Sequence, residues 1–273
     1  MKFSMCNEFC DGWPLADAMR LAAETGYDGI EIAPYTLAPH VAEIDATQRR
    51  EIRALAADHG LAIAGIHWLL VKPDGLHMTT PDDTVRQATF RYFEALIDFC
   101  GDIGGETLIV GSPKQRSVAP GVDPAAAWER AVAFFAGLAP RAADRGVTLC
   151  VEPLARVHTN FITTAAEAIA LIDAVGHPSV RLILDCKAMS DEPEPIPAII
   201  AAAAPYIAHF HTNDELLATP ATGTLDFAAI LGALQAIDYR AWVSVEVFDF
   251  TPPPEQIARE ALATLRAARA ANA

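Results

Sequence analysis

Four side chains that can bind a cation or move a proton recur at similar intervals, each at the end of an apolar run. They are Glu152 in "LCVEP", Asp185 in "LILDC", His211 in "HFH" and Glu246 in "VSVEV". Successive members are 33, 26 and 35 residues apart. A single carboxylate in such a place usually caps a helix or lies in a solvated loop. Four of them at matched places in successive runs are typical of a shared metal site.

The runs that must position these residues alternate in kind along the chain. Short β-rich runs are followed by longer Ala-rich amphipathic runs, which is typical of βα units around a parallel sheet. The predicted strands cover 2–8, 29–34, 61–70, 106–113, 147–154, 180–188, 206–214 and 241–250. The predicted helices cover 14–25, 46–59, 82–101, 124–145, 164–175, 195–204, 226–237 and 255–270.

Eight strands, each with a following helix, fit one closed barrel. The 273 residues give about 34 residues per βα unit, which matches an α/β fold of the (β/α)8 TIM-barrel type. An open doubly wound sheet is the alternative, but no G-x-G-x-x-G follows the first predicted strand. No linker-like stretch divides the sequence, so we expect a single domain over 1–273.

In such a barrel the carboxyl ends of the strands meet at one rim, where active sites lie. Neighbouring strands are roughly 5 Å apart, so the four side chains should converge there. Three carboxylates in a poorly solvated pocket cannot all stay ionised without a cation. Their mixed oxygen and nitrogen set suits one divalent ion: Mn²⁺, Co²⁺, Mg²⁺ or Zn²⁺.

The composition indicates which kinds of partner and which cellular compartment to expect. The net charge is −15, from 20 Lys and Arg against 35 Asp and Glu, so no nucleic-acid partner is expected. The first residues lack the apolar run of a signal peptide, and Pro197 and Pro205 interrupt the longest apolar stretch, so no membrane span is expected. Five cysteines without zinc-type spacing indicate free thiols in a reducing cytoplasm. Ala-rich outer helices are compatible with a homo-oligomer.

Five segments are similar to one known family: "VEP" at 151–153, "LILD" at 182–185, "HFHTND" at 209–214, "GTLDF" at 223–227 and "VSVE" at 243–246. Over essentially its whole length the chain resembles the xylose-isomerase-like TIM barrels, the sugar isomerase/epimerase family that includes ketose 3-epimerases and hydroxypyruvate isomerases. The matching residues of that family hold one Mn²⁺-type ion, which implies the same for Glu152, Asp185, His211 and Glu246. The family also uses its two glutamates as an acid/base pair on opposite faces of the substrate, which implies catalytic roles for Glu152 and Glu246.

The resemblance thus implies a divalent-metal-dependent isomerase or epimerase of a sugar or sugar-like polyol. A metal bound to the carbonyl and a neighbouring hydroxyl stabilises the enediolate that forms when the adjacent proton leaves. One carboxylate removes that proton and the other returns one. Return to the opposite face gives epimerisation, and return to the adjacent carbon gives isomerisation.

Departures from the family pattern concern the residues that hold the sugar. Ketose 3-epimerases have a substrate-binding His where this sequence has Ala188, and a second Glu where it has His158. They also have an Arg shortly after the ligand His, whereas "HTNDELLATP" contains none. The metal centre is therefore expected to be intact, while ketose 3-epimerase specificity is not carried over.

Other polar residues near predicted strand ends are candidates for substrate contact or for support of the metal ligands. His209 precedes His211 by two residues, so it points the same way one layer deeper and is expected to orient a ligand. Glu31, at the end of the second strand, is either structural or part of the site. The candidates for substrate contact are His67, Trp68, Lys114, Arg116, His158 and Asn213. The alternative for each is a core position or a solvated loop.

Three other functions compete with isomerisation. A lyase or dehydratase of the same barrel family would form the same enediolate and then eliminate a β-leaving group from a 3-oxo-glycoside or related oxo-sugar. A phosphodiester-cleaving relative of the type IV apurinic endonucleases would need three metals and further histidines, and the negative charge opposes it. A non-catalytic carbohydrate-binding barrel would not need both glutamates.

Overall fold

Eight parallel strands close into a barrel, which confirms the predicted fold class. The computed structural model describes residues 1–216 and 218–272. The strands are β1 Lys2–Cys6, β2 Gly29–Ile32, β3 Ala62–Ile66, β4 Thr107–Val110, β5 Thr148–Val151, β6 Val180–Asp185, β7 Ile207–Thr212 and β8 Trp242–Val245. Each strand pairs with its neighbours in chain order, and β1 closes the ring against β8, with Ser4 opposite Ser244.

Helices follow the strands around the outside of this ring. They are α1 Leu15–Thr25, α2 Ala46–Asp58, α3 Asp83–Ile103, α4 Pro124–Asp144, α5 Ala165–Val175, α6 Cys186–Ser190, α7 Ile196–Ala203, α8 Phe227–Ala236 and α9 Pro254–Ala270. Eight of these match the predicted helices to within a few residues, and α6 is additional. Among the residues described, no helix combines the length and apolar character needed to cross a membrane.

Local sequence signals fix the ends of these helices. Asp45 caps α2 by accepting hydrogen bonds from the backbone N–H groups of Thr47 and Gln48, and the Gln48 side chain accepts one from the Asp45 N–H in return. Gly26 ends α1 in the left-handed conformation that glycine adopts without strain. Such boundaries set where each following strand begins.

The core lies mainly between the barrel and the helices. Phe93 and Leu96 of α3 and Leu138 of α4 are fully buried within it. Burial of each such side chain contributes roughly 1.5–3 kcal/mol of transfer free energy. Inside the ring, Gly65 allows β3 to approach β4, because a Cβ at that position would overlap Thr107. The barrel is therefore a closely packed platform for the residues at its rim.

The strand register carries the four predicted ligand positions to one height at the rim. Asp185 on β6 lies opposite His211 on β7, and His211 lies opposite Ser244 on β8. Glu152 immediately follows β5, and Glu246 immediately follows β8. The carboxyl ends of β5 to β8 thus present four adjacent side chains, as predicted.

The strands end earlier than the apolar runs of the sequence. The predicted strand 61–70 ends at Ile66, and the predicted strand 180–188 ends at Asp185. Apolar residues continue past these points because they line the inside of the rim, as the buried Leu69 and Leu70 do. After Asp185 the chain turns directly into α6, whose Ala188 N–H donates to Asp185 Oδ1 at 2.8 Å. A helix of five residues is too short to leave a periodic signal in the sequence.

Candidate active site

The four residues expected to bind a metal lie together at the carboxyl end of the barrel. Glu152, Asp185, His211 and Glu246 are all buried, and each offers one ligand atom within 4.8 Å of the others' ligand atoms. His211 Nδ1 lies 3.1 Å from Glu246 Oε2 and 3.8 Å from Glu152 Oε1. This geometry brings three carboxylates and one imidazole into a single cluster.

The electrostatics of this cluster fit a divalent cation. Burial, together with the charges of Glu246 and Asp185, raises the pKa of Glu152 well above its usual range. Burial and Glu246 also raise the pKa of Asp185 to about 6. Carboxylates so placed repel one another unless a positive charge lies among them. A dipositive ion removes that repulsion, and the oxygen and nitrogen donors suit Mn²⁺ and similar ions.

Below the cluster, Glu31 of β2 holds two histidines. Its Oε1 lies 3.1 Å from His211 Nε2, at hydrogen-bond distance. Its Oε2 lies 2.7 Å from His209 Nε2, a contact that lacks the alignment of a hydrogen bond. Burial opposes the charge of Glu31, but the neighbouring His209 and His211 outweigh it and hold the pKa of Glu31 well below its usual range. An acceptor at Nε2 fixes the tautomer of His211 so that Nδ1 faces the cluster.

His209 lies in the deeper layer that strand alternation predicted. Its Nε2 lies 3.0 Å from Ser244 Oγ, and its Nδ1 lies 3.2 Å from Thr107 Oγ1. It is fully buried and does not reach the cluster. His209 therefore contacts Glu31 and two residues of the barrel wall, and does not contact the cluster directly.

Asn213 contacts a ligand of the cluster and does not line the cavity above it. Its Nδ2 donates to Asp185 Oδ2 at 2.7 Å, and its Oδ1 accepts from the Lys187 N–H at 2.9 Å. The side chain is fully buried. The expectation that Asn213 contacts substrate is thus replaced by a role in orienting Asp185.

His67 is also withdrawn from the cavity. Its Nε2 lies 2.9 Å from Glu8 Oε2, and both side chains are fully buried. Glu8 Oε1 in turn accepts from the Val247 N–H at 3.1 Å, next to Glu246. His67 and Glu8 therefore brace the ends of β3 and β8 beneath the cluster, and the predicted substrate contact is not made by His67 directly.

Trp68 lines the cavity and contacts the cluster. Its indole Nε1–H donates to Glu246 Oε1 at 2.8 Å. Its ring lies 5.0 Å from the ring of Phe248 and 5.8 Å from that of Tyr35, measured between centroids. Trp68 adopts φ +50°, in the left-handed region that side chains other than glycine rarely occupy. The chain turns there so that the indole can cover Glu246.

A cavity of about 600 Å³ opens above the cluster. Its wall comes from the loops after β3, β4, β5, β6 and β8, and it includes Trp68, Lys114, His158 and Lys187. Three cluster ligands, Glu152, Asp185 and Glu246, form part of its floor. Its size is in the range of small-molecule sites.

Arg116 does not line this cavity, although the sequence suggested a substrate contact. The side chain is buried, and its guanidinium donates to the backbone carbonyls of Glu152 at 2.5 Å, Ile162 at 3.2 Å and Val110 at 3.4 Å. Burial lowers the pKa of Arg116 to about 10, although the nearby Glu152 opposes this. Arg116 thus ties the loop after β4 to the loop after β5.

Gly111 lies directly against Glu152 at the end of β4. A Cβ at position 111 would overlap Glu152 Oε2. The sequence did not indicate Gly111, and it left Glu31 open between a structural position and the site. The signal that could have indicated Glu31 is its position between two isoleucines in "GIEI", where an inward-pointing charge needs a partner.

Several known proteins are similar to this chain in sequence or in fold. Residues 19–268 match the family model described as xylose isomerase-like TIM barrel. The D-psicose 3-epimerase of Agrobacterium fabrum (strain C58) is 31% identical over 229 residues, which cover 83% of this chain and 76% of that protein. The L-ribulose 3-epimerase of Methylomonas sp. (strain DH-1) is 31% identical over 244 residues, which cover 86% and 80%. A crystal structure of D-psicose 3-epimerase in the presence of D-fructose superimposes with a TM-score of 0.86 at 26% identity, over 100% of this chain and 99% of that one.

Proposed function

Because the chain belongs to the xylose isomerase-like TIM barrel family, we propose that it is a divalent-metal-dependent epimerase of ketoses or closely related sugars. The observation that carries this proposal is the cluster of Glu152, Asp185, His211 and Glu246 at the rim of the barrel. The names of the relatives support epimerisation at carbon 3 over the other isomerisations. They give no support to the lyase alternative.

The proposed metal ligands are the four residues of the cluster, and the proposed ion is Mn²⁺, with Co²⁺, Mg²⁺ and Zn²⁺ as substitutes. When bound, such an ion would stabilise the negative charge that develops on the substrate oxygens as the proton leaves. Asn213 and the Ala188 N–H hold the two oxygens of Asp185 in place. Glu31 holds His211 in the tautomer that leaves Nδ1 directed at the cluster.

Glu152 and Glu246 are the proposed acid/base pair. They come from strands β5 and β8, on two sides of the cavity floor, so a sugar placed between them would face one carboxylate on each side. One carboxylate removes the proton next to the carbonyl, and the other returns a proton to the opposite face. The Trp68 indole N–H, which donates to Glu246 Oε1, holds that carboxylate in one orientation, with its Oε2 3.1 Å from His211 Nδ1.

Contacts to the substrate are proposed for the residues that line the cavity. Trp68 and Phe248 offer flat apolar surfaces against which the C–H face of a sugar can pack. Lys114 and His158 offer hydrogen-bond donors on the other side. We propose one barrel domain for the whole chain. We also propose that it acts in the cytoplasm, since its five cysteines are unpaired and buried.

Deuterium exchange tests the reaction. The Mn²⁺-loaded protein is incubated with D-fructose, D-psicose or L-ribulose in D₂O, and the products are analysed by NMR and mass spectrometry. An epimerase is expected to give the carbon 3 epimer with one deuterium at that carbon and no loss of mass. Release of water or of a fragment indicates elimination instead. Turnover that survives exhaustive chelation, or that survives both Glu152→Gln and Glu246→Gln, contradicts the proposal.

A further inference from the structure

One side of the cavity carries three basic side chains. Lys114, His158 and Lys187 all line it, and they come from three successive loops, after β4, β5 and β6. Lys114 and His158 are exposed to the cavity opening, and the Lys187 side chain is 19% exposed. We refer to these three residues as the basic wall.

The basic side chains of this wall contrast with the negative net charge of the protein. The chain carries a net charge of −15, so cations are the minority on its surface. Apart from the proposed metal ligands, the described cavity lining includes one carboxylate, Asp74, whose side chain is 85% exposed and already lies 3.1 Å from Lys72 Nζ. Within residues 1–216 and 218–272, Lys114 makes no ion pair, and Lys187 Nζ lies 2.9 Å from Asp191 Oδ1. Among the described residues, the positive charge of Lys114 is therefore not neutralised by a carboxylate of the protein.

We propose that the substrate is a ketose that carries an anionic group, a phosphate or a carboxylate, at the end remote from the reacting carbons. The inference rests on the proposed epimerase function and names the substrate class of the same cavity. A sugar seated with its carbonyl at the floor, between Glu152 and Glu246, would direct its far end toward the loops that carry the wall. Lysine ammonium groups are mobile point charges that can donate to a phosphate or to a carboxylate. The wall therefore recognises a negative charge without selecting the shape of the anion.

A neutral ketose would leave this wall without a partner. Ala188, itself in the cavity lining, offers no hydrogen bond from its side chain. An anionic end would add binding energy away from the reacting carbons, which is a general way for remote groups to support catalysis.

Calorimetry and kinetics on the Mn²⁺-loaded protein test this inference. The ligands are D-fructose, D-fructose 6-phosphate and D-fructuronate, which share the ketose and differ in the remote group. Both anionic ketoses, or one of them, are expected to bind and react at least tenfold better than D-fructose, and the comparison between them separates phosphate from carboxylate. The preference is expected to shrink as the salt concentration rises, because exposed charges are screened.

Variants test whether the lysines of the wall cause the preference for anionic ketoses. Lys114→Ala combined with Lys187→Ala is expected to reduce the ratio of anionic to neutral affinity by tenfold or more, because hydrogen bonds to charged groups contribute about that factor or more each. Lys72→Ala is the matched control, since Lys72 lies in the loop after β3 with the same charge but does not line the cavity. The control should leave the ratio unchanged.

Two results overturn the inference. One is equal binding of all three ketoses by the wild-type protein, and the other is a preference that the double variant leaves intact. Either can occur while D-fructose is still epimerised, in which case the proposed function stands. Conversely, tight binding of an anionic ketose without deuterium exchange contradicts the proposed function, and it supports only the preference of the cavity for anionic ligands.

Discussion

Glu31 is a fully buried carboxylate that lies among three buried histidines. It contacts His211 and His209 and lies within 3.5 Å of His67 Nδ1. A buried charge of this kind is costly unless its partners compensate it. We expect Glu31 to orient His211, because a metal-binding imidazole is held in place by the acceptor at its other nitrogen.

Glu31→Gln is therefore expected to weaken metal binding. The variant keeps the size of the side chain but loses the charge that holds His211, so Mn²⁺ affinity should fall by about 10–100-fold. Titration calorimetry with Mn²⁺ measures this directly. Glu106→Gln is the control, since Glu106 is half-exposed and pairs with Lys2 at the other end of the barrel. Unchanged Mn²⁺ affinity in Glu31→Gln would contradict the orienting role.

Gly111→Ala tests the packing against Glu152. The added methyl would overlap Glu152 Oε2 and displace that carboxylate from the cluster. A displacement of about 1 Å in a catalytic group can reduce the rate about 10²-fold, so kcat is expected to fall at least that far. Gly75→Ala is the control: Gly75 has φ +84° and open space around it. That change should cost roughly 1 kcal/mol of stability through backbone strain and leave kcat unaltered.

At the scale of elements, the loop after β3 determines the environment of Glu246. It runs from the buried His67, which Glu8 holds, to Trp68, which lies over Glu246. The Trp68 ring packs on Phe248 and Phe250 from the loop after β8. Two loops that are far apart in sequence thus form one aromatic cover over one side of the cavity.

Trp68→Phe distinguishes the effect of the hydrogen bond to Glu246 from the effect of aromatic packing. The variant keeps an aromatic ring but loses the N–H that donates to Glu246 Oε1, a bond to a charged group. We expect kcat to fall about tenfold with a smaller change in KM, because such bonds contribute roughly 1.5–3 kcal/mol. Trp128→Phe, in α4 and packed edge-on against Phe161, serves as the control. A change in KM alone would indicate that Trp68 binds substrate and does not position Glu246.

The elements themselves were largely predictable from the sequence. Alternating β-rich and amphipathic runs predicted the barrel. The regular spacing of Glu152, Asp185, His211 and Glu246 predicted that their side chains lie together. Both follow from local periodicity and from the rule that parallel strands end at one rim. The strand ends were extended too far, because apolar residues such as Leu69 continue into the rim.

Long-range contacts could not be predicted in the same way. Glu31 and His211 are 180 positions apart, and only the closed ring brings β2 within reach of β7. The direction of Arg116, inward to backbone carbonyls, depends on how two loops pack. Likewise, the positive φ of Trp68 has no signature in the sequence, since the residue type does not favour it.

For the molecule as a whole, the proposed ion would link the last four strands of the barrel. Ligands from β5, β6, β7 and β8 would share one charge, and the unfolded chain holds no such site. Metal binding should therefore stabilise the fold by mass action. The proton affinities of the ligands determine at which pH this linkage operates, since a cation binds only the deprotonated groups.

The sign of this pH dependence follows from the raised pKa values. Burial and Glu246 raise the pKa of Asp185 to about 6, and burial with Glu246 raises that of Glu152 well above its usual range. Burial alone would lower the pKa of His211, but Glu246 and Glu31 outweigh it and raise that value well above 6.5. All three groups hold protons in the metal-free fold at low pH, and these protons compete with the cation. As the pH rises through about 6 and beyond, the protons leave and metal affinity increases.

The expected result is a melting temperature that depends on metal and pH together. At pH 8, Mn²⁺ at about 100 times its Kd should add roughly 2.7 kcal/mol of stability, or about 5 °C or more in Tm. At pH 5 the same concentration should add little, because protons occupy the ligands. Differential scanning calorimetry with and without Mn²⁺ at both pH values measures this, and Asp185→Asn should lose most of the gain at pH 8. An equal gain at pH 5 and pH 8, or none at either, would mean that these four side chains do not bind the ion together, since proton competition is a necessary consequence of their shared burial.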